Sequence, residues 1–130
     1  MTDREILDNF FMFCIAGEDT ISSLVSMTLY FDEKYFEWGA KLKEEVNIVI
    51  GKPEDINLDV INSLTFMSAF LKEVLRLTPP VPIIFLRIAL KDHYVGKVFI
   101  EKDAVINTSL IGSKFNPKYF DNPEEFNSTR

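Results

Sequence analysis

Apolar residues in the first part of the chain recur at the spacing of helices rather than of strands. The segment Thr2-Asp3-Arg4-Glu5 has the capping-box pattern of a helix start, and this first helix is predicted to run to about Phe31. The pair Pro79-Pro80 ends the helical pattern, because proline cannot continue a helix. Between these limits three more helices are predicted, over residues 32–50, 58–63 and 65–77.

Beyond the prolines the pattern changes to short runs typical of strands. Three such runs cover residues 83–90, 94–100 and 104–107, with turn-forming residues such as Gly96 between them. The tail, residues 114–130, contains two Asn-Pro steps, which predict turns. We therefore expect one mainly α-helical unit with a small β portion, helical over residues 1–78 and rich in hairpins and turns over residues 79–130.

Gly17 interrupts the apolar first helix, and two acids follow it. Ala16, Gly17 and Thr20 are three and four residues apart, so they form one narrow face without bulky side chains. We expect the Thr20 hydroxyl to donate to the Ala16 carbonyl. Two interpretations remain open: close packing of another helix, or a groove against a flat cofactor where Thr20 and Asp19 hold water or pass protons.

Glu73 and Arg76 lie three residues apart on the fourth predicted helix. Such a pair is usually solvent-exposed and then contributes only a few tenths of a kcal/mol. This helix, however, is apolar on nearly every side, so the pair is expected to face the interior. A buried pair of this kind needs a third hydrogen-bonding partner.

The charge pattern argues against a nucleic-acid partner. The formal net charge is -6, and the lysines alternate with glutamates instead of forming a basic stripe. The only cysteine, Cys14, excludes a disulfide framework and a Cys-rich metal site. Because Glu18 and Asp19 divide the apolar residues of the first helix, we expect no transmembrane segment of about 20 apolar residues.

Three segments together resemble the cytochrome P450 family, the haem-thiolate monooxygenases. Ala16-Gly17-Glu18-Asp19-Thr20 is similar to the Ala/Gly-Gly-x-Asp/Glu-Thr stretch of the family's long distal helix. Glu73-Val74-Leu75-Arg76 is similar to its Glu-x-x-Arg helix, and FDNPEEFNSTR at residues 120–130 to its Phe-x-x-Pro-x-x-Phe-x-Pro-x-Arg segment. The order is that of the family, and the resemblance covers essentially the whole chain.

The resemblance implies roles for individual residues. Thr20 and Asp19 would guide protons to iron-bound oxygen, and Ala16 and Gly17 would line the distal face of a haem b. Arg87 matches a position that often contacts a haem propionate. Arg130 would complete a structural triad with Glu73 and Arg76, which supplies the third partner that the buried pair requires.

The sequence departs from the family pattern at the Glu101-Lys102-Asp103 turn, at Ser128 and at Thr129, where the family often has glutamate. Glu101-Lys102-Asp103 replaces the usual Pro-Lys-Gly turn, and Asp103 tolerates left-handed geometry less easily than glycine, so the resemblance does not secure this turn. Ser128 stands where the family usually has proline.

The family's haem-binding loop, Phe-x-x-Gly-x-x-x-Cys-x-Gly, is expected beyond Arg130. Its thiolate is the axial ligand of the iron. Cys14 is about 200° around the helix from Ala16 and is expected to be an inert buried thiol, so we expect no metal ligand in this chain. His93 is expected to be a solvent-facing turn residue.

The resemblance implies an internal fragment of a monooxygenase that inserts one oxygen atom from O2 into an organic substrate. The parent protein would use an electron-donating reductase, and a location at the endoplasmic reticulum membrane is compatible with the family. The fragment alone is expected to be inactive and not to retain haem. A non-catalytic truncated product and a helical interaction module are the alternatives.

Overall fold

The computed structural model of the protein describes residues 1–52, 54 and 56–130, with Phe85 and Leu86 described by their backbone alone. The mainly helical fold with a small β portion that the sequence predicts is confirmed. The helices are α1 (Asp3–Lys34), α2 (Phe36–Val49), α3 (Leu58–Ser63), α4 (Thr65–Leu77) and α5 (Leu110–Lys114). The strands are β1 (Ile83–Ile88), β2 (His93–Val95), β3 (Val98–Ile100) and β4 (Val105–Ser109).

Helix α1 begins with the predicted capping box. The Glu5 backbone N–H donates to Thr2 Oγ1, and the Glu5 carboxylate accepts from the Thr2 backbone N–H. The helix ends three residues later than the sequence predicts, at Lys34. Tyr35 then leaves helical geometry, with φ -116° and ψ 67°, while its N–H still donates to the Phe31 carbonyl. This single residue therefore forms the corner between α1 and α2.

Two antiparallel strand pairs follow α4, β1 with β4 and β2 with β3. Gly96 lies at the turn between β2 and β3 with φ +61°, a conformation that glycine adopts without strain. Asp103 has φ +65°, so the Glu101-Lys102-Asp103 turn adopts the left-handed geometry that the sequence left open. Helix α5 is an element that the sequence analysis missed, and the Ser109 hydroxyl caps it by accepting from the Gly112 N–H.

The core is small and lies where α1, α2, α4 and the tail meet. Phe70 and Val74 of α4 are fully buried there, and Phe31 of α1 and Phe126 of the tail join them. The first half of α1 has no buried residue, and its large apolar side chains are exposed. The fold thus buries one face of α4 and leaves much of α1 open.

Helix α1 is long and apolar enough to cross a membrane, judged by length and composition only. The helix remains apolar over this length despite the acids that it contains. The prediction that Glu18 and Asp19 leave no such segment is therefore wrong, because two acids do not outweigh the apolar residues around them. Core helices of soluble proteins and signal sequences meet the same criterion, so it assigns no membrane span.

Candidate functional site

The Glu73 carboxylate and the Arg76 guanidinium form a two-pronged ion pair on α4. Arg76 Nε donates to Glu73 Oε2 over 2.7 Å, and Arg76 Nη2 donates to Glu73 Oε1 over 2.8 Å. Both residues are only 5% exposed, so the pair faces the interior as expected from the apolar sequence around it. Parallel N–H···O bonds of this kind combine charge with a defined orientation of both planes.

The remaining donors of Arg76 hold the tail and the end of α5. Arg76 Nη1 donates to the carbonyls of Lys114 (3.0 Å) and Pro123 (2.6 Å), and Nη2 donates to the carbonyl of Glu125 (3.0 Å). These carbonyls are 38 to 49 residues away in the chain. One buried cation therefore organises a turn-rich segment that has little regular structure of its own.

Arg130 reaches the same carboxylate from the tail. Its Nε donates to Glu73 Oε1 over 3.2 Å, and its side chain is 19% exposed. Its Nη1 and Nη2 donate to the carbonyls of Asp121, Asn122 and Glu125. The structure thus brings together the three charged residues that the sequence analysis grouped, with Glu73 at the centre.

A backbone donor completes the surroundings of the carboxylate. The Asn127 N–H donates to Glu73 Oε1 over 2.9 Å. Burial by itself raises the pKa of Glu73, but the Arg76 hydrogen bonds, the Asn127 N–H and the charges of Arg76 and Arg130 together lower it below its ordinary value. Glu73 therefore stays ionised at neutral pH and can serve as the anionic centre of the network.

Aromatic side chains anchor the tail beside this network, and the sequence analysis did not single them out. The Phe126 ring stacks on Phe31 and Tyr35, each at 4.9 Å between ring centroids, and meets Phe70 edge-on at 5.0 Å. The Arg76 guanidinium lies 5.1 Å from the centroid of the Phe120 ring. The available signal was the recurrence of phenylalanine every five or six residues in the tail, at positions 115, 120 and 126.

The small-residue face of α1 is present, and no described atom covers it at Gly17. The Thr20 hydroxyl donates to the Ala16 carbonyl over 2.8 Å, as predicted. A Cβ added to Gly17 would meet none of the described atoms within 4 Å. Ala16 and Asp19 are exposed, whereas Gly17 and Thr20 are half-buried. Close packing against another helix, the simpler interpretation of this face, is therefore not seen within the described part of the chain.

Arg87 lies on β1, opposite Ile106 of β4. It is exposed, and its side chain makes no hydrogen bond or ion pair with the described residues. Its guanidinium is therefore free to bind an anionic group. No described hydrogen bond connects Arg87 to the α1 residues, so the structure does not assemble the proposed haem contacts into one closed site.

The predicted haem-contacting residues do not line the cavity that opens beside the network. A cavity of about 450 Å³ opens beside the network and is lined by Lys72, Lys114 and Phe120 together with the three charged residues of the network. None of Ala16, Gly17, Thr20 and Arg87 lines it.

The residues present fit haem only in part. The uncovered face at Gly17 can accept a flat group, and the unpaired Arg87 guanidinium suits a carboxylate. Within the described residues no three His, Cys, Asp or Glu side chains gather as metal ligands. Cys14 is exposed on α1, so the prediction of a buried thiol is wrong. The reason is that this half of α1 projects away from the core. His93 is half-buried at the start of β2, with Nδ1 2.9 Å from the Lys91 carbonyl oxygen.

Comparison with known proteins identifies the family to which this chain belongs. Residues 1–130 match the family model described as Cytochrome P450. Human Cytochrome P450 3A5 is 30% identical over 130 residues, which are 100% of this chain and 26% of that protein. Cytochrome P450 76A1 of Solanum melongena is 37% identical over 118 residues, 89% of this chain and 25% of that protein. Cytochrome P450 monooxygenase traB of Penicillium crustosum is 28% identical over 127 residues, 97% of this chain and 25% of that protein.

A solved structure supports the same assignment. A zebrafish cytochrome P450 in complex with abiraterone has a TM-score of 0.92 and 25% identity, and the match covers 100% of this chain and 31% of that one. The chain belongs to the cytochrome P450 family. It spans about a quarter of the length of the curated relatives it matches.

Proposed function

We propose that this chain is part of a haem-dependent monooxygenase that inserts one oxygen atom from O2 into an organic substrate. The observation that carries the proposal is the closed network of Glu73, Arg76 and Arg130, which joins the Glu-x-x-Arg helix to the tail. Family membership supports the reaction class, and two of the relatives are named as monooxygenases. In such an enzyme the network would hold the scaffold behind the haem.

Each residue of the α1 face has a role in this proposal that follows from its chemistry. Ala16 and Gly17 lack bulk, so they would let a flat haem b approach the helix. Thr20 has a hydroxyl held by the Ala16 carbonyl, and the carboxylate of the neighbouring Asp19 is exposed. Together they would hold and pass a proton on this side of the cofactor. Arg87 would bind a propionate with its guanidinium.

When bound, haem supplies the oxygen-activating chemistry, and the protein supplies binding, orientation and proton control. We propose that the chain alone neither retains haem nor has monooxygenase activity. Its only cysteine is Cys14 on α1, the same helix that carries the proposed distal face. The parent protein would take electrons from a reductase, and a location at the endoplasmic reticulum membrane is part of the proposal.

The test is to add haem to the purified chain, reduce it and expose it to carbon monoxide. We expect no thiolate-type Soret band from the chain or from its Cys14→Ser variant. A thiolate-type band that disappears in Cys14→Ser would show that this chain supplies its own axial ligand, and it would overturn the inactive-fragment proposal.

A non-catalytic helical interaction module is a second candidate, favoured by the exposed apolar side chains of α1. Phe10, Phe11 and Phe13 are 60%, 59% and 78% exposed. This candidate predicts a soluble, cooperatively folded chain. Thr20→Ala and Arg87→Ala should then leave its stability and its solubility unchanged. Aggregation of the chain, relieved by polar substitutions at these phenylalanines, would instead indicate a face that normally lies inside a larger protein.

A further inference from the structure

Helix α4 starts without a cap from its own segment. Its N-cap position is Leu64, which makes no side-chain hydrogen bond to the helix and is buried at 7% exposure. Within the described chain, α1, α3 and α5 are capped locally by Thr2, Asn57 and Ser109. Because a core residue occupies the cap position of α4, the first N–H groups of this helix need acceptors from elsewhere.

Glu45 of α2 supplies those acceptors. Its Oε1 accepts from the Phe66 N–H over 2.7 Å, and its Oε2 accepts from the Met67 N–H over 2.8 Å. The Thr65 hydroxyl also donates to Oε1, over 3.3 Å. Phe66 and Met67 are the second and third residues of α4, whose N–H groups a local cap would normally bind. A carboxylate at this end also interacts favourably with the helix dipole.

Neighbouring contacts show that this bond lies in the seam between the two helices. Trp38, seven residues before Glu45 on the same face of α2, stacks on Phe66 with 6.1 Å between ring centroids and 18° between ring planes. The seam thus combines a stacking contact with a two-pronged hydrogen bond at the start of α4. Phe66 and Glu73 are also seven residues apart, so the orientation set at the start of the helix carries to the ion pair.

We propose that Glu45 is a positioning residue: its carboxylate fixes the start and rotation of α4 against α2, and thereby the placement of Glu73 and Arg76. Burial raises the pKa of Glu45, but its hydrogen bonds from the Phe66 and Met67 N–H groups and from Thr65 lower it overall. The carboxylate is therefore ionised at neutral pH and available as an acceptor. This inference does not depend on haem, because every contact in it lies within the chain.

The test is amide hydrogen exchange at Phe66 and Met67, measured by NMR on the 130-residue chain. We expect roughly tenfold faster exchange in Glu45→Ala, with an intermediate value in Glu45→Gln, which keeps the side-chain length and one acceptor oxygen. Glu45→Asp keeps the charge but is too short to reach, so it should behave like Glu45→Ala. Glu44→Gln is the matched control, because Glu44 is adjacent and exposed and has no described hydrogen bond. It should exchange like the unsubstituted chain.

Two further readouts separate positioning from a local cap. Trp38 is the only tryptophan, so its emission reports the seam and should shift to longer wavelength in Glu45→Ala. The Arg76 Nε–H resonance reports the distant ion pair and should move in Glu45→Ala but not in Glu44→Gln. If Glu45→Ala speeds exchange at Phe66 and Met67 but leaves the Arg76 Nε–H resonance in place, Glu45 only caps α4 locally. That result would overturn the proposal. The proposal would also be overturned if exchange in Glu45→Asp were as slow as in the unsubstituted chain. The same holds if the Phe66 and Met67 amides of the unsubstituted chain were not protected from exchange.

Discussion

The network of Glu73, Arg76 and Arg130 is largely buried although it is charged, whereas the first half of α1 is exposed although it is apolar. At the network, Glu73 and Arg76 are each 5% exposed and almost every donor and acceptor has a partner. On α1, Phe13 and Ile15 are 78% and 57% exposed. Charged groups become stable inside when their hydrogen bonds are complete, whereas apolar side chains are buried only where a partner surface exists. In this chain the partner surface is present for α4 and absent, among the described residues, for the start of α1.

The largest effect is expected when the network loses its anion. Glu73→Ala would leave Arg76 and Arg130 without their counterion, and breaking a buried pair in this way costs about 3–5 kcal/mol. We expect a correspondingly lower free energy of unfolding in urea. Glu44→Ala is the control at an exposed glutamate and should change it little. Equal, small effects of the two variants would mean that the network is a surface feature.

Loss of the aromatic anchor comes next. Phe126→Ala should lower the free energy of unfolding by about 3 kcal/mol, because the ring is buried among Phe31, Tyr35 and Phe70. The control is Phe36→Ala, since Phe36 is 76% exposed. Limited proteolysis should show the tail released in Phe126→Ala. A tail that stays resistant would show that Arg130 and Arg76 suffice to hold it.

Acid should weaken the network through Glu73. Its pKa is lower in the folded chain than the ordinary glutamate value of about 4.3, so its contribution is fully present above that pH and disappears as the pH falls through the lower folded value. Thermal melting from pH 6 to pH 3 should show this loss. The Glu73→Gln variant should melt at a lower temperature at pH 6, and its melting temperature should change less between pH 6 and pH 3. An unchanged slope would assign the acid sensitivity to other carboxylates.

The smallest effect is expected on the open face of α1. Gly17→Ala should raise helix stability by about 1 kcal/mol, because the added Cβ meets no described atom and alanine favours helix. Gly39→Ala is the contrasting variant: its Cβ would clash with Asp32 Oδ1 and lie 2.8 Å from the Asp32 carbonyl oxygen, so it should destabilise. Thermal melts of both variants test this. Destabilisation by Gly17→Ala would indicate that this face is covered.

The sequence itself determined the local features of this protein. Helical spacing, the Thr2–Glu5 capping box and the proline stop predicted α1 to α4, because each signal involves residues a few positions apart. The sequence also predicted the Thr20–Ala16 hydrogen bond for the same reason. Motif spacing alone grouped Glu73 with Arg76, and the family resemblance added Arg130.

Tertiary structure decided which of these features are buried and what completes them. The Glu45 cap of α4 joins residues 21 and 22 positions apart, and the Arg130–Glu73 contact joins residues 57 apart. Phe126 is buried by contacts with helices that are far away in the chain. Cys14 is exposed because no described element packs beside it. Such pairings depend on where chain segments meet, and periodicity within one segment contains no information about the neighbour it will contact.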